Sequence, residues 1–265
     1  MPAKASGTPS SRAPRLARDK LRLDLLLVER GLVDTRSRAQ ALVMTGLVFS
    51  GERRLDKPGL LVSRALPLEL RGQDHPWVSR GGVKLARALD HFAIDPAGKV
   101  ALDIGASTGG FTDVLLSRGA ARVYAVDVGF GQLAWKLRQD PRVSVLERMN
   151  ARHLGRAEVP EPVALIVCDA SFIGLETVLP APLALAAPGA ALVALIKPQF
   201  EVGPGRVGKG GVVRDAALHE EVCDRIASWL GAQPGWRVLG IVESPITGAE
   251  GNREFLVAAL KEAAP

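Results

Sequence analysis

The chain is 265 residues long, 47% hydrophobic and 23% charged, enough to bury a core and unlike disordered, collagen-like or disulfide-built chains. Its two cysteines, Cys168 and Cys223, exclude a disulfide framework and a multi-cysteine zinc module, and they point to a reducing, cytoplasmic setting. The net charge of +6 comes from one end: residues 1–80 hold 15 Lys and Arg against 8 Asp and Glu, and residues 81–265 hold 19 against 20. A basic block on a neutral body is the electrostatic footprint of a polyanion-binding module, with a solvated basic surface as the plain alternative.

Residues 1–20 are rich in Ser, Pro, Ala, Arg and Lys and lack the apolar segment of a secretory signal, so a disordered basic tail is expected. Pro2, Pro9 and Pro14 oppose the amphipathic helix of a transit peptide. Leu23, Leu26 and Leu27 then mark a short helix, capped at Gly31. A second helix starts at Asp34 or Thr35, carries Ala39, Leu42 and Val43 on one side, and stops at Gly46. Strands are expected at 47–50 and 66–70, with Gly51 in the turn between them.

The run Arg22-Leu23-Asp24, Leu27, Gly31, Arg36-Ser37-Arg38-Ala39, Leu42, Gly46, Val48 and Ser50-Gly51 resembles the RNA-binding domain named after the fourth small-subunit ribosomal protein. The resemblance implies a small α+β RNA-binding domain over 21–71. Its phosphate-facing candidates are Arg22, Arg36, Arg38, Arg53 and Arg54, with Arg36 and Arg38 at a helix start that already favours anions. Read singly, each arginine is equally well a solvated side chain.

A linker over 72–78 ends in Trp77-Val78, and the pattern changes. Apolar runs at 99–104, 123–127, 143–146 and 163–168 each precede a helical stretch, which predicts parallel βαβ units and a doubly wound α/β sheet over 79–265 with helices on both faces. In such a sheet ligands bind at the strand C-terminal ends. From Thr177 to Ile196 no residue is charged, but Pro180, Pro182 and Pro188-Gly189 divide the stretch into a buried helix, a turn and a core strand at 190–196, not a membrane span.

The first strand end reads Asp103-Ile104-Gly105-Ala106-Ser107-Thr108-Gly109-Gly110-Phe111. Ser107 breaks the dinucleotide fingerprint, and Phe111 stands where a phosphate loop requires Lys. The form that remains resembles the glycine turn of S-adenosylmethionine-dependent methyltransferases. Asp127, 22 residues beyond Gly105 and followed by Val128, is placed to accept hydrogen bonds from a ribose diol. Asn150 after the third strand is either an adenine contact or a turn former.

The fourth strand delivers Asp169 and the fifth delivers Lys197. A lysine closing an apolar strand must reach water or a carboxylate, so a purely structural Lys197–Asp169 pair is one reading. Lys84, on the helix before the first strand, and Glu254, opening the last strand, complete the order Lys84, Asp169, Lys197, Glu254. That set is similar to the Lys-Asp-Lys-Glu tetrad of FtsJ-like ribose 2′-O-methyltransferases. Glu243 competes for the fourth place, but the Gly-Asn-x-Glu surroundings favour Glu254.

Over about residues 22–260 the chain resembles TlyA-like ribosomal RNA methyltransferases, through Trp-Val-Ser-Arg-Gly at 77–81, Gly-Gln-Leu-Ala-Trp at 131–135, Lys-Pro-Gln-Phe-Glu at 197–201 and the Gly-Asn-x-Glu ending. His75-Pro76 departs from the family before Trp77. The resemblance implies 2′-O-methylation of cytidine in 16S or 23S ribosomal RNA, with S-adenosylmethionine as donor and ribosomal RNA or ribosomal subunits as partner. It assigns catalysis to Lys84, Asp169, Lys197 and Glu254, and the donor to residues 105–111 with Asp103, Asp127, Val128, Asn150 and Asp169. Arg80 joins the RNA-facing arginines. Lys197 is the expected base or alkoxide stabiliser. Rival readings are a membrane-active haemolysin, a name common in the family, and a non-enzymatic ribosome-assembly factor. His75, His91, His153 and His219 have no metal-ligand spacing, and Trp135, Trp229 and Trp236 read as packing residues.

Overall fold

The computed structural model describes residues 20–30, 32–33, 35–71, 75–203, 205–248 and 251–263. The chain divides into two compact units, residues 1–74 and 75–265. The basic tail expected over 1–20 lies outside the described residues apart from Lys20, as do Gly31, Asp34 and linker residues 72–74.

In the first unit β1 (Lys20–Arg22) leads into α1 (Leu23–Glu29), whose leucines at 23, 26 and 27 are buried. Helix α2 (Arg36–Met44) starts at Thr35, whose hydroxyl accepts a bond from the Arg38 amide at 3.2 Å. Ala39 and Val43 of α2 meet those leucines, with Val48, Leu55 and Val62 closing the core. Strands β2 (Val48–Ser50), β3 (Arg53–Arg54), β4 (Leu61–Ser63) and β5 (Glu69–Leu70) follow. β1 pairs antiparallel with β4, and β2 lies between β3 and β5. Gly51 therefore turns β2 into β3 rather than into the 66–70 segment. That segment pairs only at 69–70, beyond Pro67, which has no N–H to give a ladder.

Asp24 engages two of the candidate arginines. Fully buried, it accepts bonds from Arg22 at 2.9 and 3.0 Å, Arg36 at 3.0 Å and Gln40 at 2.9 Å. These donors, Arg22 foremost, hold its carboxyl well below the usual carboxylate range against the opposing effect of burial. A buried carboxylate needs such partners, so Arg22 and Arg36 serve an internal acid while their side chains stay 41% and 53% exposed. Arg38 is half-buried, and Arg53 and Arg54 are exposed on β3 without an ion pair among the described residues.

The second unit runs α3 (Gly81–His91), β6 (Val100–Ile104), α4 (Gly110–Ser117), β7 (Arg122–Asp127), α5 (Trp135–Arg138), β8 (Val143–Glu147), β9 (Val163–Cys168), α6 (Leu175–Val178), α7 (Pro180–Ala184), β10 (Ala186–Ile196), α8 (Pro198–Glu201), α9 (Ala216–Gly231), β11 (Trp236–Glu243) and β12 (Phe255–Lys261). Its seven strands are ordered β11-β12-β10-β9-β6-β7-β8. Alternate residues along each strand face opposite ways, as a period of two requires. Ala101, Val123, Leu165 and Val193 pack with α3 and α4 on one face, while Leu102, Tyr124, Ile166 and Leu192 pack with α6, α7 and α9 on the other. Helices on both faces of a largely parallel sheet make this an α/β doubly wound fold.

Two departures from expectation matter. β10 begins at Ala186, so Pro188-Gly189 forms an irregularity inside the strand between Ala186 and Ala191 instead of a turn before it. β12 runs antiparallel between β10 and β11. An antiparallel strand starts at the edge where its parallel neighbours end, which carries Glu254 to the same edge as Asp169 and Lys197. Trp236 is buried and Trp229 half-buried, but Trp135 is 67% exposed. It opens the four-residue α5, whose inward face is taken by Leu137, next to the buried Leu133 and Ala134.

Candidate active site

Strands β6 and β9 are neighbours whose chains leave in opposite directions across the sheet, β6 towards β7 and β9 towards β10, so their C-terminal ends form the switch point where doubly wound sheets bind ligands. Gly105 follows β6 at a φ of +79°, and a Cβ there would lie 2.9 Å from the Ala170 backbone. Only glycine permits this approach of the two strand ends. Around it are two adjoining cavities of about 420 Å³ and about 270 Å³. Gly105, Ser107, Asp169, Ser171 and Phe172 line both.

The larger cavity is bordered by Asp127, Val128 and Asn150. The Asp127 carboxylate accepts the Ser107 amide at 2.8 Å and the Gly129 amide at 2.7 Å, so it shapes the glycine turn as well as lining the cavity. An ionised carboxylate keeps further lone pairs for a ligand hydroxyl. Asn150 forms the turn after β8, its amide oxygen accepting the Arg152 amide at 3.1 Å, and it borders the cavity. Val128, at 70% exposure, forms the rim.

The smaller cavity gathers Lys84, Asp169, Lys197 and Glu254, residues from three separate strand ends and a helix, together with Arg80 at its edge. Lys84 pairs with Glu254 at 2.5 Å, with side chains 8% and 3% exposed. Lys197 pairs with the Asp169 carboxylate at 2.6 Å and donates to the Asp169 carbonyl at 3.0 Å and the Ser171 hydroxyl at 2.8 Å. The ion pairs and the candidate tetrad are thus the same groups. Two lysines and two acids pair off at one cavity and give it a polar wall.

Ala106, Ser107, Thr108, Gly110 and Phe111 of the glycine turn line the smaller cavity, but Gly109 and Asp103 line neither. Gly109 instead starts α4 in the left-handed region. Asp103, fully buried, accepts the Thr112 hydroxyl at 2.6 Å and so ties β6 to α4 from beneath. Burial pushes its carboxyl up to about 7; the Thr112 bond opposes the shift, and the nearby Asp169 charge adds to it. Its second oxygen has no partner among the described residues. Sequence reasoning missed Ser171 and Gln199, which also line the smaller cavity. Ser171 could have been found as the polar residue two positions past a strand-end acid; nothing in the sequence singled out Gln199.

The family model for FtsJ-like methyltransferases matches residues 77–261, and that for the S4 domain matches residues 21–65. The chain belongs to the FtsJ-like methyltransferase family. Among its relatives, YqxC of Bacillus subtilis (strain 168), which carries an rRNA methyltransferase name, is 50% identical over 239 residues, covering 90% of this chain and 85% of that protein. The 16S/23S rRNA (cytidine-2′-O)-methyltransferase TlyA of Mycobacterium tuberculosis is 48% identical over 239 residues, covering 90% and 89%. A solved Streptococcus thermophilus structure with a hemolysin name superposes with a TM-score of 0.73 at 42% identity, covering 93% of this chain and 90% of that one. The chain is a methyltransferase with an S4 domain before its catalytic unit.

Proposed function

We propose that this protein transfers a methyl group from S-adenosylmethionine to a ribose 2′-hydroxyl of 16S or 23S ribosomal RNA, with cytidine as the acceptor by likeness to the relatives so named. The observation that carries this reading is the convergence of Lys84, Asp169, Lys197 and Glu254 on a cavity sharing a wall with a second one large enough for the donor. When bound, S-adenosylmethionine supplies a methyl group on a sulfonium sulfur. The residues fit it: glycine backbone approaches closely at 105, Asp127 and Asn150 offer polar contacts for a nucleoside, and Val126, Met149 and Ile173 give apolar walls.

A ribose hydroxyl is a weak nucleophile, so the site must orient it and favour loss of its proton. Lys197 donates to the Asp169 carbonyl and the Ser171 hydroxyl and lies 2.6 Å from the Asp169 carboxylate, a fixed position from which its amine can donate a hydrogen bond to the reacting oxygen. Negative charge growing on that oxygen is stabilised by Lys197 in a pocket where the two lysines are 6% and 7% exposed. Lys84, anchored by Glu254, adds a second fixed positive charge to the same cavity. The proton leaves to Asp169, within 2.6 Å of the Lys197 amine, or to water.

The 2′-hydroxyl makes RNA the substrate class, and a ribosomal target implies a cytoplasmic setting. Phosphate contacts fall to Arg38, Arg53, Arg54 and Arg80, and they predict RNA affinity that declines steeply with salt. The hemolysin name of a relative would require membrane activity, and no helix among the described residues is long and apolar enough to cross a membrane; a liposome-leakage assay separates the readings. The direct test offers ribosomal RNA and the same RNA with 2′-deoxyribose at the acceptor nucleotide. Methyl transfer to the first only is expected, and transfer to the deoxy substrate overturns the assignment.

A further inference from the structure

Glu201 lies four residues past Lys197, at the end of α8, and lines neither cavity. Its side chain is nevertheless 4% exposed and ionic. One carboxylate oxygen accepts the Leu175 amide at 2.8 Å, and the other accepts Arg225 of α9 at 3.1 Å. The same Arg225 nitrogen donates to the Glu201 carbonyl at 3.0 Å, and its second nitrogen pairs with Glu176 at 2.7 Å. Gly174 admits the contact, because a Cβ there would come within 3.1 Å of the carboxylate. Burying a carboxylate is costly, and burial does push the Glu201 carboxyl upward against its hydrogen bonds. An apolar side chain would pack the same corner more cheaply, so what the charge contributes is a fixed position.

That position spans the site. The segment after β9 (169–175) and the segment after β10 (197–201) are bolted together twice, by Lys197 to Asp169 and Ser171 at one end and by Glu201 to Leu175 at the other. Between the bolts lies Phe172, 90% exposed, at a φ of +64°, its ring 4.9 Å from that of Phe200. A bulky residue holds this backbone only where its surroundings over-determine it. The turn so held carries Asp169, Ser171 and Phe172, part of the wall shared by donor and acceptor cavities.

We infer that Glu201, braced by Arg225, is a positioning residue for methyl transfer: it fixes the Asp169–Ile173 turn against Lys197 and thereby the alignment of acceptor and donor. This rests on the methyl-transfer reading above. Small misplacements of reacting groups cost about 100-fold in rate, so Glu201→Ala in the full chain should lower kcat by about 100-fold, with KM for RNA and for S-adenosylmethionine each within about three-fold. Glu201→Gln keeps an acceptor for Leu175 but opposes Arg225, and it should recover part of the loss. Arg225→Ala should cost about ten-fold in kcat, and adding it to Glu201→Ala should cost little more, because the two act as one unit. Arg225 is 37% exposed, so this variant carries the test where Glu201→Ala fails to fold. The inference is overturned by unchanged kcat in the folded variants, by a loss that tracks donor binding or the unfolded fraction, or by additive effects. Absence of methyl transfer in the wild-type protein would instead count against the proposed function.

Discussion

The buried acid of the first unit and two of those in the second, Asp103 and Glu254, are partnered in opposite ways. In the first, Asp24 collects Arg22, Arg36 and Gln40, the arginines lying at the surface with their side chains 41% and 53% exposed. In the second, Asp103 has one hydroxyl partner and no cation, and Glu254 has one lysine that is itself buried. The first arrangement is a clasp: cations reach in from water and the charged form is favoured. The second leaves Asp103 and Glu254 buried with a single partner each, which costs stability; Glu254 and its lysine border the smaller cavity, where their charges can act on a ligand, while Asp103 lines neither cavity.

Removing a buried partner should show the contrast most sharply. Lys84→Ala removes the cation paired with the buried Glu254, so a loss of about 3–5 kcal/mol in the stability of the second unit is expected by chemical denaturation, along with loss of methyl transfer. A loss under 1 kcal/mol would mean that the pair is better solvated than its burial indicates. The next effect is one of pH. Asp103 is raised from 3.8 to about 7, so between those values the folded unit holds a proton that the unfolded chain has released. Its contribution is full below about pH 4 and is lost as pH rises towards 7, at a slope of up to about 1.4 kcal/mol per pH unit. Asp103→Asn should therefore gain stability relative to wild type across that window, by a few kcal/mol in order of magnitude, and a flat difference would refute the shift.

Asp24 has the opposite sign. Its carboxyl is held below the ordinary range, so its contribution is present above about pH 4 and is lost as pH falls through and below that value. Asp24→Asn should weaken the first unit by about 2–3 kcal/mol at neutral pH and flatten its acid unfolding. The smallest effect concerns thiols. Burial pushes Cys168 up to about 12 and Cys223 up to about 11, so an alkylating reagent at pH 7 should label the half-buried Cys223 slowly and Cys168 only on unfolding.

Much of this was legible before any coordinates. The parallel strands are apolar runs between glycine turns, and their ends carry Gly105, Asp127, Asp169 and Lys197, so strand periodicity alone places these residues at one edge. Glu254 needed more, because its arrival at that edge depends on β12 running antiparallel, and nothing local in Phe255-Leu256-Val257 encodes a direction. Asp103 looked like a ligand because it belongs to the glycine-turn string, yet strand alternation turns it away from the cavities, under α4. The second role of Arg22 and Arg36 was hidden for a similar reason. A sequence shows a surplus of cations but not which of them an internal acid such as Asp24 will take up. Arg225, far from Glu201 along the chain, was invisible until α9 had been packed beside α8.

Lys197 is central to the proposed methyl transfer, and one substitution tests its role. Lys197→Ala in the full chain should bind S-adenosylmethionine within about three-fold of the wild-type affinity by calorimetry, while single-turnover methyl transfer to ribosomal RNA is abolished. Transfer by that variant at a rate near wild type would contradict the role given to the buried ammonium groups.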